Sequence, residues 1–257
     1  MFYAKSFGIL HSPHYYSEQV SVSFDTVRFD SESKYKILVQ IEPPEVTNIV
    51  RQIIDNQHHF DLILAWNKDI LDSCPNAKRF IFGTCWIDFD RFTPDKKNEI
   101  SFITSNKTFA PGHQLRHQVH SYLNQFETIG DFSIRNILTP PRIDSKNVLF
   151  ENAKFSIVIE NAYRENWLTE KIVDCFYTQT VPIYKGCPNI GDFFNEQGVI
   201  TFNTLDELKS ILHSLTPEKY DSLSDILLEN KNKTIQCIEL HDRIKGEIDE
   251  LIKIKTT

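Results

Sequence analysis

Between residues 155 and 186 the chain reads as strand, helix, strand. Phe155 to Ile159 is an apolar run of strand length that stops at Glu160-Asn161. A short polar loop follows, and Thr169-Glu170-Lys171 opens a helix predicted to run to Thr178. Val181 to Tyr184 is a second apolar strand, ending in Lys185-Gly186. Polar and charged groups therefore gather at the C-terminal ends of two buried strands and at a helix N-terminus. Open α/β sheets bind ligands at strand ends of this kind, and a helix N-terminus attracts phosphate.

The rest of the chain extends the pattern. Lys36 to Ile41 is a strand ending in Glu42-Pro43-Pro44, and apolar residues at helical spacing predict a helix over Glu45 to Asn56. Phe60 to Trp66 and Arg79 to Phe82 read as strands, which makes a small parallel α/β unit. Residues 1 to 35 suggest one or two further strands. Thr93-Pro94-Asp95-Lys96-Lys97-Asn98 is polar, holds a proline and is the expected linker. Beyond it come strand Ile100 to Thr104, helix Gly112 to Phe126, a strand near Phe132 to Ile134, and the 155–186 unit. Val199 to Phe202 and Leu205 to Leu215 add a strand and a helix, and Pro217 to Ile254 is an amphipathic helical tail. The expected division is residues 1–95, a reduced N-terminal α/β domain, and residues 96–257, a second α/β domain with terminal helices, which the family resemblance given below makes the acceptor-side and the nucleotide-sugar-binding domain. Two such Rossmann-like domains facing each other would form a GT-B-like fold. The tail's apolar positions Ile238, Leu240, Ile244, Ile248, Leu251 and Ile252 could pair with a second subunit as a homodimer, or pack back on the N-terminal domain.

Composition removes several function classes. A net charge of −7 argues against bulk attraction to nucleic acid or anionic membranes. The five cysteines are scattered without a Cys-x-x-Cys, so a disulfide framework or zinc ribbon is not expected and a reducing, cytoplasmic setting fits. Met1 to Leu10 is too short and mixed for a signal peptide, and no apolar run reaches the ~18 residues of a membrane span. Gly-x-Gly-x-x-Gly, phosphate-loop and nucleophile-elbow patterns are absent from the sequence.

The 155–186 stretch resembles the nucleotide-sugar site of the α-1,3-fucosyltransferase family, glycosyltransferase family 10. That family's pattern is roughly phenylalanine-glutamate-asparagine, tyrosine-valine-threonine-glutamate-lysine, then valine-proline-isoleucine-tyrosine-x-glycine. Here the order and spacing stand as Ile159-Glu160-Asn161, Trp167-Leu168-Thr169-Glu170-Lys171 and Val181-Pro182-Ile183-Tyr184-Lys185-Gly186. Trp167 replaces a tyrosine, and Lys185 sits where a tryptophan is common. The resemblance implies a GT-B fold and an inverting transfer of fucose from GDP-fucose to a glycan hydroxyl. A membrane anchor like that of the family's Golgi members is not seen, which points to a bacterial or viral type of enzyme or an excised domain. A related glycosyltransferase using another nucleotide sugar, or a nucleotide- or carbohydrate-binding protein without catalysis, are the alternatives.

Glycosyl transfer needs positive charge for the leaving diphosphate, a base for the acceptor hydroxyl, and orientation of the donor. Lys171, in the first turn of its helix, and Arg116, in Gly112-His-Gln-Leu-Arg-His117 after a strand and a Ser-Asn turn, are the candidates for the phosphates. The resemblance gives Glu170 to the ribose hydroxyls and sets Glu160, Asn161 and Thr169 in the donor pocket. Trp167 either lies against base or sugar or simply packs. Glu42, after its strand, matches the family's catalytic glutamate as general base, with Glu45 as its rival. No metal is required in this scheme. His113, His117 and His120 share one helix face but lack the His-Glu-x-x-His pattern, and Asp88-Phe89-Asp90 is a short acid-x-acid match. Phe2, Tyr3, Phe7, Tyr15, Tyr16 and His58-His59 could line an acceptor site or a core.

Overall fold

The computed structural model describes residues 9–10, 20–140 and 143–256. The aromatics Phe2, Tyr3, Phe7, Tyr15 and Tyr16 lie outside them. The chain divides into two compact units, Met1–Phe82 with Glu239–Thr257, and Gly83–Ile238.

The first unit is a five-stranded sheet in the order β1 (Ile9–Leu10), β2 (Val20–Phe24), β3 (Tyr35–Val39), β4 (Leu62–Ala65), β5 (Ala77–Arg79). β1 is antiparallel to β2, and the rest are parallel. Side chains alternate across a strand, so Ile37 and Val39 face one core while Leu38 faces the other. Leu62 and Leu64 are likewise separated from Ile63 and Ala65. Helices α1 (Val50–Asp55) and α2 (Lys68–Ser73) bring Ile53 and Ile70 to the Leu38 face. The C-terminal helix, Leu240–Thr256, covers the opposite face with Ile244 and Ile248. Each buried isoleucine contributes about 1.5–3 kcal/mol. Lys78 clamps the helix through Glu247 at 2.6 Å and Glu250 at 2.8 Å. Arg243 donates to the Ile81 carbonyl, with its guanidinium 4.6 Å from the Phe80 ring centre. Of the tail's apolar positions, Leu240, Ile244, Ile248, Leu251 and Ile252 pack against this unit's sheet. α1 starts at Val50 rather than Glu45, because the Pro43 carbonyl first takes the amides of Val46 and Thr47 in a turn. α2 was not apparent from periodicity; Asn67 caps it by accepting from the Asp69 and Ile70 amides.

The second unit runs β6 (Lys97–Ser105), α3 (Pro111–Leu123), β7 (Thr128–Ile129), β8 (Phe132–Thr139), β9 (Ala153–Ile159), α4 (Glu170–Tyr177), β10 (Val181–Lys185), β11 (Ile200–Thr201). Helices α5 (Leu205–Ser214), α6 (Pro217–Asp221) and α7 (Ser224–Lys233) complete it. Its sheet order is β11-β10-β9-β6-β8-β7. Apart from the short β7–β8 hairpin, every pairing is parallel. Counted along the chain, the parallel strands stand in the doubly wound 2-1-3-4-5 order. The winding reverses between β6 and β9, the kind of switch point at whose strand C-termini open α/β sheets bind ligands. Ile100, Phe102, Phe155, Ile157, Ile159 and Ile183 pack on one face against Val119 and Leu123 of α3 and Leu208 and Leu212 of α5.

The segment expected to be a linker lies within this unit. Lys96 Nζ donates to Phe150 O at 2.6 Å, Thr180 Oγ1 at 2.7 Å and Ala153 O at 2.9 Å. Three donors meet three acceptors, while burial draws the ammonium pKa down to about 7. The unit boundary consequently sits at Phe82/Gly83, not 95/96, and the last helix returns to the first unit. A charged run reads as a linker from composition; here its lysine is a hub. Among the described residues, no helix is long and apolar enough to cross a membrane. Among the described residues, no disulfide joins any of the five cysteines.

Candidate functional site

The site is built around the end of β9, at the reversal point of the second unit's sheet. Helix α3 abuts it directly: the Gly112 amide donates to the Asn161 carbonyl at 3.0 Å. A Cβ on Gly112 would stand 1.7 Å from the Glu160 carbonyl oxygen, so only glycine permits this approach. One turn on, Arg116 is 7% exposed. Its Nε donates to Gly112 O at 3.2 Å and its Nη2 to Asn161 Oδ1 at 2.5 Å. Burial lowers the guanidinium pKa while Glu160 and Glu170 oppose that shift; arginine stays charged regardless.

Helix α4 approaches the same strand end. Thr169 caps it, accepting from the Lys171 amide at 3.3 Å. The fully buried Glu160 latches this cap: it accepts from Thr169 N at 3.0 Å and from Thr169 Oγ1 at 2.8 Å. Lys171 Nζ lies 3.3 Å from both Glu160 Oε2 and Glu170 Oε1 and donates to Thr169 Oγ1 at 3.0 Å. Lys146, just after the Ser145 cap of a 3-10 turn, continues the lattice from Glu170 Oε1 (3.3 Å) to Asp174 Oδ2 (3.1 Å). Asp174 Oδ1 accepts the Trp86 amide at 2.7 Å. Burial opposes ionisation of Glu170, but Lys171 and Lys146 outweigh it and hold the carboxyl down at about 2. Burial likewise opposes the Lys146 charge, which Asp174 and Glu170 hold above the usual lysine range. For Asp174 burial prevails and its pKa is raised.

The structure thus brings together Arg116, Glu160, Asn161, Thr169, Glu170 and Lys171. Two helix N-termini and two cations converge on one strand end, an arrangement that suits a phosphorylated ligand. Trp167 is 1% exposed and packs in the core. Lys185, at the end of β10, places Nζ 4.4 Å from the centre of the Tyr163 ring. Glu42 belongs to the first unit, just beyond β3, and Glu45 lies in the turn that follows. Lys146, Asp174 and Tyr163 were not singled out from sequence. Asp174 alone gave a signal, four residues beyond Glu170 on the inner face of α4.

The three helix histidines do separate work. His113 Nδ1 accepts the Ala110 amide at 3.2 Å, His117 Nε2 meets Lys107 O at 3.0 Å, and His120 Nδ1 meets Asn136 Oδ1 at 2.8 Å. Asp88 opens a 3-10 turn, with its amide on Asn147 Oδ1 at 2.9 Å. No group of three His, Cys, Asp or Glu among the described residues could hold a metal ion. The rings of His58 and His59 meet at a 44° tilt with centres 4.0 Å apart.

His113 is 3% exposed, and burial, with Arg116 and Lys107 adding repulsion, pushes its pKa down to about 4. The unfolded chain takes up that proton near pH 6.5, earlier than the folded one, so stability falls as pH drops from about 6.5 to 4. The loss should reach on the order of 3 kcal/mol at pH 4. His113→Gln keeps an acceptor for the Ala110 amide and should flatten this part of the profile. Urea melts of both proteins between pH 7 and 4 measure it; identical slopes would show that another group causes the acid lability.

The second unit is thus a doubly wound α/β sheet with two helix N-termini and two cations at its reversal point. Its relatives narrow the class. The chain is 30% identical over 155 residues to alpha-(1,3)-fucosyltransferase FucT of Helicobacter pylori. The match takes in 59% of this chain and 31% of that protein, so the chain spans under a third of this relative's length. A crystal structure of α1,3-fucosyltransferase with GDP matches at a TM-score of 0.51 and 19% identity, over 82% of this chain and 69% of that one. One with GDP-fucose matches at 0.51 and 18%, over 86% and 71%. No protein-family model matches the chain. The fold is GT-B-like, and the resemblance to α-1,3-fucosyltransferases read from the motifs extends to sequence and structure comparisons.

Proposed function

We propose that the chain is an inverting glycosyltransferase that moves fucose from GDP-fucose to a glycan hydroxyl without a metal ion. The observation that supports this most is the cluster at the β6/β9 reversal point: Arg116 and Lys171, with the α3 and α4 N-termini, around Asn161. The relatives carry the choice of nucleotide and sugar, since they include fucosyltransferase structures with GDP and GDP-fucose. In this reading Glu42 takes the proton from the acceptor hydroxyl. The freed oxygen attacks the anomeric carbon opposite the diphosphate, and the bond from that carbon to the phosphate oxygen breaks. Lys171 and Arg116 stabilise the charge that gathers on the departing GDP. Glu170 and Asn161 orient the donor, while Glu160 and Thr169 hold α4 in place beneath it. Lys185, stacked on Tyr163 where the family commonly has tryptophan, supports the alternative of a different nucleotide sugar.

The test is a thermal-shift panel of GDP, UDP, CDP, ADP and GDP-fucose on the wild type and Arg116→Ala, without metal and with chelator. A ligand at 100 times its Kd adds about 2.7 kcal/mol of stability. Selective stabilisation by GDP and GDP-fucose, lost in the variant, is the expected result. Selectivity for another nucleotide would discard fucose, and no shift with any nucleotide would overturn the donor site.

A further inference from the structure

We propose that Lys146 is a positioning residue for the donor site, holding Glu170 so that one carboxylate oxygen is presented to the ligand's ribose hydroxyls. This rests on the donor-site reading above, in which Glu170 meets the ribose. The geometry is asymmetric. Both Lys146 and Lys171 approach Glu170 through Oε1, each at 3.3 Å. The contacts of both lysines fall on Oε1, which leaves Oε2 the less engaged of the two oxygens. A carboxylate oxygen with free lone pairs accepts two hydroxyl bonds. Two ammonium groups on its twin fix the plane in which it offers them.

Lys146 is held for this task from every side. Its ammonium is 3.1 Å from Asp174 Oδ2, one helical turn beyond Glu170, and 4.3 Å from the centre of the Trp86 ring. Its side chain is 17% exposed, so the charge is little screened by water. Asp174 in turn accepts the Trp86 amide, which fixes the ring above the lysine. Lys171 alone would leave Glu170 tied to a side chain that must also serve the phosphates. Lys146 supplies a second tether that the ligand does not contest.

Calorimetric affinities for GDP and 2′,3′-dideoxy-GDP test the proposal on wild type, Lys146→Met, Lys146→Arg and Lys146→Met/Asp174→Asn. The double variant removes both buried charges and so keeps the interior paired if Lys146→Met alone fails to fold. Wild type should prefer GDP by about tenfold or more, the value of hydrogen bonds to a charged acceptor. The variants lacking the lysine should lose that preference while dideoxy-GDP binds within about twofold of wild type, as expected for a group it does not use. Lys146→Arg should retain most of the preference. A further signature separates positioning from mere packing: the preference for GDP over dideoxy-GDP, in which the shared diphosphate titration cancels, should stay flat from pH 7 to 5 in wild type and weaken with acid in the double variant. A preference for GDP that persists unchanged in the double variant overturns the role of Lys146. Equal wild-type affinity for the two nucleotides would instead overturn the ribose role of Glu170 itself.

Discussion

Glu42→Gln is expected to lose sugar transfer by about 10²- to 10⁴-fold, the span a positioned general base supplies, while binding GDP as the wild type does. The amide keeps the volume and one acceptor oxygen of the side chain but cannot take a proton. The local architecture suits a residue whose position matters. Strand β3 ends at Val39, and the backbone beyond it is anchored by Asp25, whose two carboxylate oxygens accept the amides of Ile41 at 2.8 Å and Glu42 at 3.0 Å. Asp25 itself stands at φ 48°, a conformation that aspartate tolerates better than most residues. Both carboxylate oxygens are thus committed to holding the start of the Glu42 loop. Initial rates with GDP-fucose and an acceptor, set beside calorimetric GDP affinity, decide the matter. Near wild-type turnover would remove Glu42 from the mechanism. Loss of GDP binding along with transfer would make its role structural. If Glu45→Gln abolishes transfer while Glu42→Gln does not, the base is Glu45.

Much of the second unit was legible from sequence because local signals agreed there. Apolar runs bounded by turns gave β9 and β10 nearly to the residue, and the Thr169 cap gave the start of α4. Asn161, Glu170 and Lys171 stand at the ends of such elements and Arg116 one turn into α3, and the motif resemblance is what singles them out. What the sequence hid were long-range effects. The run from Thr93 to Asn98 has a linker's composition, yet Lys96 is fixed by carbonyls more than fifty residues away. The C-terminal helix shows its amphipathic face plainly; nothing in its periodicity says that the sheet of the first unit will cover it. Lys146 sits in a polar stretch that looks like any surface turn. Its importance comes from Glu170 and Asp174, brought to it by the packing of α4. Glu160 shows the reverse: its motif position suggests a ligand contact, while its 0% exposure and its bonds to Thr169 and Lys171 make it a brace.

Lys171→Ala is expected to lower kcat/KM by about 10²- to 10³-fold, the usual consequence of removing one group that stabilises transition-state charge. The fold should survive. Glu160 would keep the Thr169 amide and hydroxyl, and Glu170 would keep Lys146. Losing the contacts to Glu160, Glu170 and Thr169, with Glu160 buried at one end, costs about 3–5 kcal/mol, which a thermal melt can register separately from activity. The partition between kcat and KM carries the mechanism. Lys171 is engaged by two carboxylates, so bringing a diphosphate to it also weakens those pairs. Ground-state binding therefore draws only part of the lysine's charge, and the draw grows as the glycosidic bond breaks and negative charge collects on GDP. An effect mainly on kcat, with GDP-fucose affinity changed little, is the expected pattern. An equal loss in donor affinity with kcat preserved would assign Lys171 to uniform binding instead. Turnover close to wild type would remove it from the site, leaving Arg116 and the two helix N-termini as the whole of the phosphate recognition.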